Sequence, residues 1–333
     1  MPSTITRVVV LFTLLALRSA TTTRYEELTI TTPPPRRVMP PRAAYAAVCV
    51  VAKNPTSEDL VEWIVHHLSL GVGHIYWYDH NSTEDLSRVV APFEQAGLLT
   101  WLHPAGDAAH PVQLPVYHHC GDTYGHRHEW LAYIDADEML WLPGAQKDEL
   151  AQDEQPLVTL LREFEAYAGL SVNWVMYGSS GHVARPHDTT LRAYSRCMTG
   201  SIKTNELADM HQRHVKTIVH TARLRTPFRF YHPHGGHFVH DLVPVEPDQE
   251  IRVRAQKGPF VDERFRPLPE AHLTESHTAE RIALLHFITR SREDFEAKVA
   301  RGAADGTRKG AGFVDHIDEL CVSNCSLIIA NES

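Results

Sequence analysis

The stretch that decides the fold begins with "AYAAVCVVAK" at 44–53, continues with "SEDLVEWIVHHLSLG" at 57–71 and ends with "HIYWYD" at 74–79. The first piece is a short continuous apolar run with β-branched residues, which reads as a buried strand. In the second, Leu60, Ile64 and Leu68 recur at helical spacing, with Val61 and Trp63 widening the face. Ser57 supplies an N-cap and Gly71 a C-terminal stop. The third piece is another strand. Strand, helix and strand in such short order imply parallel pairing through a right-handed crossover.

The alternation continues outward. Residues 84–97, "EDLSRVVAPFEQAG", read as a helix, and 98–103, "LLTWLH", as a strand. A strand follows in "HEWLAYID" (128–135), an amphipathic helix in "QPLVTLLREFEAYAG" (155–169) and a strand in "LSVNWVMYG" (170–178). From residue 185 the pattern loosens into short strands among Pro, His and Arg. Order returns in residues 278–306 as a strand or short helix, then a helix from about Ser291. The fold class is α/β: one domain over 44–310 with a mostly parallel, Rossmann-like sheet flanked by helices and an irregular C-terminal region, then a tail over 311–333.

The 333 residues, 43% hydrophobic, suffice for such a core. A formal net charge of −9 argues against nonspecific nucleic-acid binding. Val8 to Leu17 is an apolar run after Arg7, too short to span a bilayer comfortably. Residues 1–20 therefore read as a signal peptide or a short signal-anchor. Either places the protein in the secretory pathway, with membrane attachment if the segment stays uncleaved. Residues 21–43, rich in Thr, Pro and Arg, read as a stem or linker. Asn81, Asn324 and Asn331 head glycosylation sequons. Of five cysteines, Cys49 reads as a small apolar strand residue, and Cys321 and Cys325 as a pair that an oxidising compartment would join.

In open α/β sheets ligands bind beyond the carboxyl ends of the strands. Polar clusters sit at such ends: Asp79-His80-Asn81-Ser82 after "IYWY", and Asp135-Ala136-Asp137-Glu138 after "WLAYI". Two residues apart in extended chain, Asp135 and Asp137 point the same way. Carboxylates held together repel unless a cation intervenes. Mn²⁺ or Mg²⁺ resolves this while keeping positions open for substrate phosphates, so this spacing points to a metal-bound diphosphate. A solvated acidic turn is the bland alternative.

Here the chain resembles a family. "EWIVHHLSLGVGHIYWYDHNS", "WLAYIDADEM", "NWVMYGSSGH", "KTIVH" and "LLHFITRSREDFEAKVARG" occur in the order seen in glycosyltransferase family 92, over roughly residues 46 to 302. The resemblance implies a GT-A fold, a nucleotide-sugar donor (UDP-galactose in the better-known branches), a divalent metal and a type II Golgi topology. The chain departs from the pattern at Pro55, His80, Met139 and Arg192.

Residue by residue, the resemblance and the strand-end positions give these expectations. Asp135, Asp137 and His286 hold the metal. Lys53, Asp79, Asn81, Asp135, Ser179, Ser180 and Lys216 line the nucleotide-sugar site. Asn81 also shapes a turn, which would leave its sequon buried. Glu138 and His182 are candidates for the base that takes the proton of a glycan acceptor, with Asp188 and Asp241 behind them. Glu62 and Trp63 read as helix packing. His232, His234, His237 and His240 read as an acceptor loop, with zinc as the alternative. Rival functions are a haloacid-dehalogenase-type phosphohydrolase with Asp135 as nucleophile, and a degenerate, non-catalytic carbohydrate-binding protein.

Overall fold

The computed structural model describes residues 44–105, 112–143, 155–198, 206–223, 229–231, 238–240, 260–268, 273–302, 309–310 and 312–325, with two short N-terminal strands, Ile5–Val8 and Leu28–Thr31. The opening stretch folds as read. Strand β1 (Ala46–Ala52) leads into helix α1 (Ser57–Ser69) and strand β2 (His74–Asp79). The N-cap is Thr56 and not Ser57: its hydroxyl accepts from Asp59 N at 3.2 Å. Gly71 ends the helix with a φ of 104°, a conformation that favours glycine.

Helix α2 (Ser87–Gln95) and strand β3 (Leu99–Ala105) follow, then helix α3 (Gln113–Tyr124), strand β4 (Trp130–Tyr133) and strand β5 (Glu138–Trp141). Helix α4 (Pro156–Arg162) precedes strand β6 (Gly169–Met176). Helix α5 (Glu206–Arg213), strand β7 (Val215–His220), strand β8 (Ala283–His286), helix α6 (Arg292–Arg301) and helix α7 (Phe313–Leu320) complete the frame.

The strands of this frame stand in the order β3-β2-β1-β4-β7-β6-β8-β5, with Leu28–Thr31 beyond β3. Pairs β3·β2, β2·β1, β1·β4 and β6·β8 are parallel. Strand β7 runs antiparallel to both β4 and β6, and β5 antiparallel to β8. Hence β1, β2, β3, β4, β6 and β8 share one direction and end at a common edge. Residues 134–137 alone join β4 to β5, yet β7, β6 and β8 stand between them. A flat sheet would separate those two strands by about 19 Å at ~4.8 Å per strand, whereas five Cα steps reach about 17 Å. The sheet must therefore curl, and the curl carries the acidic loop across the carboxyl edge.

Both faces of β1 are buried, which is why it reads as a continuous apolar run. Ala46, Val48 and Val50 pack with Trp63, Trp77 and Trp101 on the α1–α2 side. Ala47, Cys49 and Val51 pack with Tyr76, Tyr117 and Cys120 on the α3 side.

Two expectations for cysteine are corrected. Cys49 is disulfide-bonded to Cys120, tying β1 to α3. Cys325 pairs with Cys197 and not with Cys321, because Ser323–Asn324 forms a small ladder with Arg196–Cys197 that carries Cys325 there. Cys321 caps α7 as a buried free thiol.

Candidate active site

The common edge gathers most of the residues that the sequence singled out. Lys53 follows β1, Asp79 ends β2, Asp135 follows β4, residues 177–182 follow β6, and His286 ends β8. Lys216 lies on β7, two residues before Ile218, which faces Ala132 of β4. That register sets its ammonium beside Asp135.

Asp135 is enclosed by donors. Gln113 Nε2 donates to its Oδ1 at 2.6 Å, Tyr117 OH to the same oxygen at 3.1 Å, and Lys216 Nζ to its Oδ2 at 2.9 Å. Gln113 and Tyr117 come from one face of α3, a helix that the sequence reading did not anticipate. Lys216 is only 1% exposed and spends its charge inside the protein. Its nearest other acid is Glu138, at 3.9 Å.

Asp137 has a different environment. Its Oδ2 accepts from Lys298 Nζ, which also donates to Ile288 O at 3.0 Å. His286 Nε2 stands 3.8 Å from the same oxygen. Burial alone would push the Asp137 carboxyl up, but Lys298 and His286 outweigh it and hold it well below the usual carboxylate range. The loop is fixed from behind, where Phe287 N donates to Asp137 O at 2.9 Å. Burial also lowers His286, against the pull of Asp137, so its imidazole is neutral at pH 7.

Glu138 is fully buried. Its Oε2 accepts from Asp135 N at 2.7 Å, and its Oε1 has no hydrogen-bond partner, with His286 Nδ1 4.0 Å away. Burial raises its carboxyl well above the usual range, Lys216 opposing and Asp135 adding to the rise. As placed, its carboxyl lies buried behind the loop, with no oxygen facing an acceptor. Trp63 packs here too, donating from Nε1 to Glu138 O at 2.7 Å.

The remaining expected residues fall into two groups. Asp79 faces the edge, 5% exposed, accepting from Ser82 Oγ and standing 3.4 Å from His103 Nδ1. Lys53 is half-buried near His80. Asn54 laces the two loops together: its N–H donates to Ser82 Oγ at 2.8 Å and its Oδ1 accepts from Thr83 N at 2.8 Å. Asn81 does shape the turn, with φ 53°, but it is exposed, so its sequon is not buried.

By contrast, Ser179 and Ser180 are engaged internally. Ser179 donates to Asp318 of α7 from both N and Oγ, at 2.6 and 2.5 Å. Ser180 Oγ accepts from Ser195 N and Arg196 N, each at 2.9 Å. Gly178 is required there, since a Cβ would meet Asp318 Oδ1 at 2.5 Å. His182 is half-buried, its Nε2 2.9 Å from Ala193 O, while Asp188 and Arg192 are exposed. Glu62 caps the one-turn helix Thr190–Ala193 by accepting from Thr190 N and Leu191 N. Asp241 and residues 232–237 lie outside the described residues. The flanking Arg229–Tyr231 and Phe238–His240 form an antiparallel pair.

Lys298, Gln113 and Tyr117 escaped the sequence reading. Lys298 had a signal: it sits in a stretch that carries the family resemblance, one turn before Arg301.

With this geometry in view, a family model for glycosyltransferase family 92 matches residues 45–241, more than half of the chain. The chain belongs to that family. A family 92 protein of Oryza sativa subsp. japonica is 29% identical over 107 residues, covering 32% of this chain and 18% of the relative. One from Ricinus communis is 25% identical over 179 residues, covering 51% and 30%. The matches thus span less than a third of either relative's length. Among solved structures, S. aureus TarS residues 1–349 aligns over 53% of this chain and 47% of that one, at 13% identity and a TM-score of 0.30. Its complex with UDP-GlcNAc aligns with the same identity and score, over 53% and 45%.

For a family 92 chain the question is whether the edge suits a divalent ion. Among the described residues, no three His, Cys, Asp or Glu side chains stand as a ready metal cluster. Asp135 already accepts from protein donors, and Asp137 is paired with an ammonium. The donor chemistry nevertheless fits. Asp137 offers a carboxylate kept ionised, and His286 a neutral imidazole 3.8 Å from it. One carboxylate and one imidazole suit Mn²⁺, with positions left for phosphate oxygens.

Proposed function

We propose that this family 92 chain is a metal-dependent glycosyltransferase that moves a hexose, galactose first among those to test, from a UDP-sugar to a glycan hydroxyl with inversion. The observation that carries the reading is the acidic loop of residues 134–137, laid across the carboxyl edge by the curled sheet. The α/β frame with antiparallel additions fits a GT-A fold. Family membership favours this over a phosphohydrolase, and Asp135, locked to three donors, is poorly placed as a nucleophile.

In this reading Asp79 meets the nucleoside and Lys53 stands beside it at the same edge. Asp137 and His286 hold Mn²⁺ or Mg²⁺, which when bound neutralises charge on the leaving diphosphate. Asp135 sets the loop. The base must face solvent to meet an acceptor. His182 and Asp188, on the chain after β6, meet that condition better than Glu138.

Two disulfides accord with an oxidising compartment, which supports passage through the secretory pathway to the Golgi. No helix among the described residues is long and apolar enough to cross a membrane. Anchorage would therefore rest on the N-terminal segment.

The test is UDP release by purified protein with Mn²⁺, a panel of UDP-hexoses and glycan acceptors. Turnover should disappear on chelation and fall at least about 100-fold in Asp137→Asn, as for loss of a metal-anchoring group. Undiminished turnover in either case rejects the metal assignment. UDP binding without turnover on any acceptor would mark a degenerate transferase.

A further inference from the structure

We propose that Lys298 is a tethered cation that occupies the metal's place at Asp137 until a nucleotide diphosphate arrives, so that metal binding is conditional on nucleotide. The inference rests on the metal-dependent reading above and adds a role for a residue that this reading leaves unused.

Each aspartate of the acidic loop already has an ammonium beside it. Asp135 is paired with Lys216 and Asp137 with Lys298. A dication entering alone would place its charge beside two ammoniums in a poorly solvated corner. A dication arriving with a diphosphate brings its own countercharge.

The two lysines are not equivalent. Lys216 is 1% exposed and fixed against Asp135, whereas the Lys298 side chain is 23% exposed and that of Asp137 21%. Lys298 is thus the ammonium within reach of a ligand. It also has a second resting contact, the Ile288 carbonyl at 3.0 Å. Helix α6 holds its stem in place, capped by Ser291 Oγ accepting from Asp294 N at 3.0 Å. A lysine ammonium on a flexible stem can exchange a carboxylate for a phosphate oxygen without backbone movement. Released from Asp137, Lys298 turns to the diphosphate while Asp137 turns to the metal. Linkage then requires that nucleotide tighten metal and metal tighten nucleotide by the same factor.

The experiment is a Mn²⁺ titration followed by the electron paramagnetic resonance signal of the free ion, with and without UDP. It uses wild type, Lys298→Met, Lys298→Gln and Lys298→Arg. Wild type should bind Mn²⁺ at least about tenfold tighter with UDP than without. Lys298→Met and Lys298→Gln should bind Mn²⁺ without UDP at least about tenfold tighter than wild type, and bind UDP more weakly at saturating Mn²⁺. Lys298→Arg should keep the wild-type pattern. A merely structural lysine would not tighten metal binding when removed.

The proposal falls if the folded Met and Gln variants bind nucleotide-free Mn²⁺ no better than wild type. It falls equally, whatever the variants do, if wild type binds Mn²⁺ the same with and without UDP. If wild type binds no Mn²⁺ even with UDP, the metal reading falls and takes this one with it.

Discussion

Replacing Lys216 with methionine isolates what the buried lysine does. The substitution keeps an unbranched stem of similar length, so packing near the Trp174 ring survives. It removes the ammonium 2.9 Å from Asp135 Oδ2. Gln113 and Tyr117 still donate to Oδ1, but Oδ2 is left facing a corner that holds Glu138 and Asp137. Stripping one partner from a buried pair costs about 3–5 kcal/mol. The Asp135 side chain is 26% exposed and keeps some water, so the lower end, ~3 kcal/mol, applies. Urea denaturation of Lys216→Met should show that loss as a lower midpoint with an unchanged slope. Removing the stranded charge as well, in Lys216→Met with Asp135→Asn, should recover most of it, leaving a coupling of roughly 2 kcal/mol between the sites. A loss below about 1 kcal/mol for the single variant, or a double variant as unstable as the sum of the singles, would refute the account of Lys216 as the internal counterion of Asp135.

Two further outcomes follow from the same geometry. Glu138→Gln should stabilise the protein at pH 7 by at least about 1 kcal/mol, with the gain vanishing near pH 4. The folded carboxyl is raised, so it costs stability as pH climbs above its unfolded value of ~4.5, at up to ~1.4 kcal/mol per unit; denaturation midpoints across pH 4 to 8 check this, and parallel curves for variant and wild type would contradict it. Replacing Cys49 and Cys120 by alanine should cost about 4 kcal/mol, because that bridge closes a loop with a sequence separation of 71; a variant that unfolds at the wild-type urea concentration would show that the bridge constrains little.

How much of this was legible in the chain depends on the kind of signal. The strands around the site announced themselves because both of their faces are buried, and Asp79 and Asp135 stood out where those apolar runs break. What depends on register did not show. Gln113, Tyr117 and Lys298 reach the acidic loop from other elements, and only tertiary geometry brings them there. Helix α3 hid for local reasons: Pro115 lies in its first turn, and Gly121 and two histidines dilute its apolar face. Ser179 and Ser180 looked like ligand groups, but a turn against α7 must satisfy its own polar atoms first, and Asp318 and two backbone N–H groups claim them. The cysteine pairing went astray similarly, since nearness in sequence says nothing about which strand carries Cys325 to its partner.

The Asp-x-Asp pattern invites the idea of two equal ligands, and the structure divides them. Asp135 accepts from Gln113, Tyr117 and a lysine sealed from solvent, so holding an ion there would disturb a set of bonds built into the protein. Asp137 gives up one ammonium, which keeps its bond to Ile288 O. Changing partners therefore costs less at the second acid than at the first. In the function proposed above, the first acid positions the loop and the exchangeable one, beside His286, holds the cation.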